Sequence, residues 1–257
     1  GDFPALPELK KIVLQLRKYL VQSQYRIAKS DLTTGEHSDT DAVRIEPIVG
    51  FGRRKNELNA KIRKLVQKSQ TEITLFTPYF NLPKVLTRDV AKALKRGVKI
   101  TITVGDKTAN DFYIADPEKF STIGIVPYIY EILLARFIKQ WQKYIDSGHL
   151  TIRLWKHETN SYHLKGMVID NRYHLITGSN INPRAWSLDL ENGLLIDDPN
   201  GKLVDSVNEE IENIYQHTTI VKSYQELDSI KEYPAKPKKL LNRIRMTQID
   251  KILKRLL

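Results

Sequence analysis

Two helix–strand cycles in close succession restrict the fold of this chain more than any other feature. Leu58, Ile62, Leu65 and Val66 recur at i, i+4, i+7 and i+8, which predicts a helix with one apolar stripe, and residues 72–77 then read as a short strand. Leu86, Val90, Ala93 and Leu94 repeat the helical spacing, Gly97 stops it, and residues 98–104 form the next strand. Helix, strand, helix, strand is the pattern of an α/β sheet with helices on its faces, whose sites form beyond the carboxyl ends of the strands. Tyr79 and Asn81 follow the first strand, and Asp106, Lys107, Asn110 and Asp111 follow the second. These loops are predicted to line a cleft, although Asp106 and Asp111 taken singly read more readily as turn residues.

Further along, Tyr130, Leu133, Leu134, Phe137, Trp141 and Tyr144 share one face of a long helix, read as core rather than as a lipid tunnel. Residues 149–156 alternate as a strand, and residues 167–170 and 173–177 form a hairpin around Asn171-Arg172. Val204, Val207, Ile211 and Ile214 mark another helix, and Ser223 with Glu226 suits a capping box. The chain divides into residues 1–41, an entering amphipathic helix (9–28) and a polar linker (30–41); residues 42–232, the domain proper; and residues 233–257, a basic amphipathic helix. That last stretch sets Lys236, Lys238, Lys239, Arg243, Arg245, Lys251, Lys254 and Arg255 against Asp250, with Ile249, Ile252, Leu253 and Leu256 on one stripe. Such a helix either lies in the headgroup plane of an anionic membrane or packs on the body with its basic face in water.

The chemistry concentrates in residues 162–191. His163, Lys165 and Asp170 form His-x-Lys-x4-Asp, followed by Gly178, Ser179, Asn180, Arg184 and Glu191. Along an extended segment His163, Lys165 and Met167 point the same way, so imidazole and ammonium share one cleft. The imidazole can attack phosphorus while the ammonium holds its oxygens, and a carboxylate on the other ring nitrogen, for which Glu191 is the candidate, would fix the tautomer. With 41 Lys and Arg against 30 Asp and Glu, the net charge of +11 favours an anionic partner: nucleic acid, anionic lipid or a phosphorylated substrate. The chain has no cysteine, which excludes disulfides and thiolate metal sites, and no Asp/Glu cluster with metal-ligand spacing. No metal or other cofactor is expected. Without an apolar run approaching the roughly 18 residues of a membrane span, the expected location is the cytoplasm or a membrane surface.

The motif resembles the HKD signature of the phospholipase D superfamily, His-x-Lys-x4-Asp-x6-Gly-Ser-x-Asn with a later Arg and Glu. Asn180, Arg184 and Glu191 fall in register; the Gly-Ser pair, Gly178-Ser179, sits one residue late, leaving open whether the Thr177 or the Ser179 hydroxyl touches phosphate. The segments FTPYFNLP, VGDKTANDFY, NPRAWSLDLEN and HTTIVK further resemble the C-terminal half of HKD-type bacterial phosphatidylserine synthases. The resemblance implies a phospholipase D-like mixed sheet flanked by helices on both faces, forming one HKD lobe of a two-lobed enzyme. It implies phosphatidyl transfer from CDP-diacylglycerol to L-serine through a phosphohistidine. His163, Lys165, Asp170 and Glu191 would be catalytic, Asp170 by supporting the hairpin and its hydrogen bonds, and Asn180, Ser179, Thr177, Arg184, Lys107 and Asn110 would bind phosphate or substrate. A second HKD motif would come from an absent N-terminal half or from a symmetric partner, and an anionic membrane would be met by the basic C-terminal helix. A cardiolipin synthase-like phosphatidyltransferase or phospholipase D is the nearest alternative. More distant readings are a dimeric HKD endonuclease, although nucleic acid is the less favoured partner, and a catalytically silent anionic-lipid-binding module.

Overall fold

The computed structural model describes residues 42–246, together with the isolated positions Lys11, Leu14, Gln15 and Lys18. Apart from those four positions, the entering helix and linker expected over residues 1–41 lie outside the described residues, as does the stripe of Ile249, Ile252, Leu253 and Leu256.

Among the described residues eight strands form one sheet: β1 (Arg44–Phe51), β2 (Glu72–Phe76), β3 (Lys99–Gly105), β4 (Leu150–Trp155), β5 (Gly166–Ile169), β6 (Tyr173–Thr177), β7 (Leu190–Asp197) and β8 (Thr218–Val221). Their spatial order is β1-β7-β6-β5-β2-β3-β4-β8. Strands β2, β3 and β4 are parallel because helices α2 (Lys84–Lys95) and α3 (Val126–Asp146) carry the chain back between them; the other pairings are antiparallel. The sheet is therefore mixed, as expected.

Alternation assigns its two faces. Ile73, Leu75, Ile100, Ile102, Leu150, Ile152, Met167 and Leu175 form the core face, buried with α2, α3 and α1 (Glu57–Lys68) in one cluster. Leu134, Phe137 and Ile138 of α3 belong to it, and Leu133, Trp141 and Tyr144 pack against it, so that helix face is core. The opposite face carries Thr74, Thr101 and Thr103, which meet Tyr215 at the end of α5 (Val204–Tyr215), while the Arg153 guanidinium lies 3.8 Å from the centre of the Tyr215 ring. Helices thus sit on both faces. Toward β1 and β7, however, Ile45, Ile176 and Leu194 on this second face are 63%, 58% and 44% exposed.

Two local expectations shift. The hairpin turn centres on Asp170-Asn171, not Asn171-Arg172: both take positive φ (54° and 50°), and the Arg172 amide donates to the Ile169 carbonyl (3.1 Å). Short polar side chains tolerate the left-handed region; Arg172 instead pairs with Asp197 of β7 at 2.7 Å. Ser223 and Glu226 flank a single 3-10 turn in which Ser223 accepts from the Gln225 amide and Glu226 from that of Lys222, one residue earlier than in a capping box. The described part of the basic C-terminal helix, α6 (Ala235–Met246), packs on the body: Leu241 is buried beside Tyr128, Tyr233 and Ile125, while Lys236 and Lys239 face outward.

Candidate active site

Strand β5 begins at Gly166, three residues later than extended alternation from His163 suggests. A Cβ at position 166 would lie 2.7 Å from the Leu175 carbonyl oxygen, so glycine alone lets the strand enter the sheet here. Residues 163–165 precede the ladder, which starts at Gly166. The expected convergence is nevertheless present: Lys165 Nζ lies 2.8 Å from His163 Nδ1 and also donates to the His163 carbonyl oxygen at 2.9 Å. The same ammonium lies 3.3 Å from His163 Nε2, the longer of its two ring contacts. The His163 side chain is 58% exposed, whereas Met167, in the same alternating row, is buried in the core.

The carboxylate nearest His163 is Asp111, whose Oδ2 is 3.6 Å from Nε2. Glu191, the sequence candidate for that position, lies instead against Gly178 and couples electrostatically to Lys165. Burial pushes the Glu191 carboxyl upward, as does the charge of Asp189, against the opposing pull of Lys165 and Arg184. Burial likewise lowers the Lys165 ammonium, opposed by Asp111 and Glu191. Asp111 is partly desolvated, but hydrogen bonds from Tyr79 (2.5 Å) and Ser161 and the charges of His163 and Lys165 hold its carboxyl below the usual range. The Tyr79 ring packs edge-on to His163 at 6.2 Å between centroids, and burial followed by the bond to Asp111 pushes its phenol well up. Asp111 had looked like turn chemistry; the signal available was its place in the loop at the carboxyl end of β3.

The loop after β6 settles where the two candidate hydroxyls go. Thr177 Oγ1 donates to the Asn192 carbonyl (2.5 Å) and accepts from the Ser179 amide (3.1 Å), and Ser179 Oγ accepts from the Ile181 amide (3.3 Å). Both residues are buried, so neither hydroxyl is presented to a phosphate; they shape the loop. Its product is Ile181 at φ 51°, a strained setting for a β-branched residue, directly after Asn180. Asn180 Oδ1 is buried without a hydrogen-bond partner. Asn182 caps α4 (Pro183–Ser187) by accepting from the Ala185 amide, and from that helix the exposed Arg184 pairs with Asp189 at 3.2 Å.

Asp170 is not in this group. It stands at the opposite end of β5, where its carboxylate accepts from the amides of Gln70, Thr71 and Glu72 and from the Thr71 hydroxyl. Burial alone would raise it, but those hydrogen bonds outweigh burial and hold it low. Lys107 is likewise engaged, with Glu131 (2.9 Å) and Asp228, and the Asn110 Oδ1 accepts from the Phe112 amide.

A family profile described as "Cardiolipin synthase, PLD-like domain" matches residues 62–215. The chain is 44% identical to a CDP-diacylglycerol–serine O-phosphatidyltransferase of Escherichia coli (strain K12) over 99% of its own length and 54% of that protein's. It is 42% identical to the protein of that name from Haemophilus influenzae, over 100% of its own length and 58% of the relative's. It superimposes on the crystal structure of phosphatidylserine synthase from H. influenzae with a TM-score of 0.83 and 41% identity, over 90% of this chain and 53% of that one. The chain thus spans little more than half the length of these relatives.

Proposed function

The chain belongs to the phospholipase D-like family of the cardiolipin synthase type, and from that premise we propose that it supplies one HKD lobe of a CDP-diacylglycerol–serine O-phosphatidyltransferase. The observation that carries the reading is the exposed His163 paired with the half-buried Lys165 at 2.8 Å. The likeness to named phosphatidyltransferases along the whole chain supports it.

In the proposed reaction one HKD histidine attacks the phosphorus that bears diacylglycerol. The N–P bond forms, the P–O bond to CMP breaks, and the opposing histidine protonates CMP as it leaves. The serine hydroxyl then attacks the phosphohistidine, gives its proton to that second histidine, and releases the first with phosphatidylserine. His163 is one of the two. Lys165 sits against its ring, closest to Nδ1, so a phosphate that draws the ammonium onto its own oxygens also frees the ring to act. Lys165 and Asn180 would stabilise the charge on the non-bridging oxygens. Asp111, 3.6 Å from Nε2, would support the imidazolium in the role expected of Glu191.

Attack and departure lie roughly in line, so a second histidine must face His163 from another lobe. The uncovered apolar strip of Ile45, Ile176 and Leu194 is where that lobe would dock. Among the described residues no helix is long and apolar enough to cross a membrane. Contact with anionic lipid would instead run through the outward lysines of α6. Incubation of a two-lobed preparation with CDP-diacylglycerol and labelled serine is expected to yield labelled phosphatidylserine and CMP. Label from glycerol-type acceptors in its place would reassign the acceptor.

A further inference from the structure

Resting on that reading, we infer that Tyr79 is a positioning residue for His163, its hydroxyl fixing the carboxylate beside the imidazole while its ring borders the imidazole itself. The oxygen of Asp111 that accepts from the Tyr79 hydroxyl at 2.5 Å is Oδ2, the same oxygen that lies 3.6 Å from His163 Nε2. The phenol therefore sets where the carboxylate charge stands relative to the reacting ring. It acts through Asp111 and has no need to meet phosphorus.

The difference in burial gives the reason. Tyr79 is 7% exposed, whereas the side chains of Asp111 and His163 are 40% and 58% exposed. A carboxylate so open to water on a loop has several rotamers within reach, and holding one of them costs conformational entropy. Ser161 also bonds Asp111, but Ser161 is itself exposed. The phenol is the partner anchored in the protein interior.

That anchor is firm. The Thr77 amide donates to the Thr103 carbonyl (3.1 Å) and the Gly105 amide to the Pro78 carbonyl (3.3 Å), which ties the exit of β2 to β3. The Tyr79 ring stacks on Tyr130 of α3, with 5.1 Å between centroids and 7° between planes, and tilts against Phe112 at 6.5 Å. Its edge meets His163 at 6.2 Å. From the same exit the Thr77 hydroxyl donates to the Asn180 carbonyl at 2.7 Å, so the loop after β6 is held to it as well. Burial, followed by the bond to Asp111, keeps the phenol protonated and therefore a donor. The FTPYFNLP segment thereby acquires a chemical part: it aligns the groups around His163 before substrate arrives.

The test is Tyr79→Phe, Asp111→Asn and their combination in the two-lobed enzyme, read as CMP release from CDP-diacylglycerol with serine. Phenylalanine keeps the ring and its stacking, so only the hydroxyl is lost. Tyr79→Phe is expected to lower kcat about 10-fold with KM for both substrates unchanged, in keeping with a catalytic group left slightly out of place. In the Asp111→Asn background the same change should cost about 2-fold at most, because the charge it positions is already gone. An unchanged kcat in Tyr79→Phe, a raised KM in place of a lowered kcat, or an equal loss in the Asp111→Asn background overturns the inference. A readout independent of turnover uses the 257-residue chain. There the Asp111 carboxyl, followed by carbon-13 NMR, should titrate at higher pH in Tyr79→Phe, since the lost donor favoured the carboxylate; an unchanged titration also overturns the inference. A wild-type two-lobed enzyme that releases no CMP instead defeats the functional reading, and the titration then decides the inference.

Discussion

The two ends of β5 carry the same motif and do opposite work. At the Asp170 end the carboxylate is densely bonded: three amides and a hydroxyl converge on it, which locks a left-handed turn to the edge of β2. At the His163 end the imidazole is mostly in solvent, and its partners are a lysine that can leave and a carboxylate at 3.6 Å. Saturated hydrogen bonding stabilises the fold, whereas unsaturated groups held on a rigid strand are available to a substrate. Of the motif's three residues, two are thus left available to a substrate and the third is an anchor of the fold.

Substitutions can break this comparison. The largest effect is expected at His163: His163→Ala in the two-lobed enzyme should lower turnover roughly 10⁴-fold or more, with the melting temperature unchanged because the side chain leaves the core untouched. A large fall in melting temperature would make it structural. Lys165→Ala should reduce turnover by about 10²–10³-fold, the usual effect of removing one donor to developing charge, again without unfolding. At the other end the signs reverse. Asp170→Ala should destabilise the fold by about 2–3 kcal/mol in denaturant titration, through lost hydrogen bonds and a strained alanine at positive φ, while the folded fraction keeps most of its activity.

The pH dependence sharpens the same contrast. The folded-state value of Asp170 lies below that of the unfolded chain, so its contribution is fully present above about pH 4 and fades as pH falls through the lowered value. The stability gap between wild type and Asp170→Asn should therefore close on acidification in that window. The smallest effect is expected at Ser179→Ala: one lost bond to the Ile181 amide, about 1 kcal/mol, and a modest loss of activity through the displaced Asn180, read by calorimetry and initial rates.

Much of this was legible in the sequence because it is local. The stripe of Leu58, Ile62, Leu65 and Val66 and the alternation in residues 72–77 report burial directly, and they placed α1 and β2. The pairing of His163 with Lys165 follows from two-residue spacing. What escaped depends on contacts distant along the chain. Asp111 gains meaning only because the β3 loop folds over His163, and Asp228 meets Lys107 across 121 positions. Asp170, expected to support the hairpin and its hydrogen bonds, does so, but its partners Gln70, Thr71 and Glu72 lie about 100 positions away and only the fold shows them. The Thr177 and Ser179 hydroxyls could not be told apart because each is spent on backbone that only the folded loop brings near.

The central claim is that this chain offers one histidine to a reaction that requires two. The direct measurement is CMP release from CDP-diacylglycerol by the 257-residue chain, established as a monomer by sedimentation, with and without an added second HKD lobe. The account predicts no turnover by the monomer and turnover once the second lobe is present; a monomer that releases CMP at the same rate in both cases would contradict it.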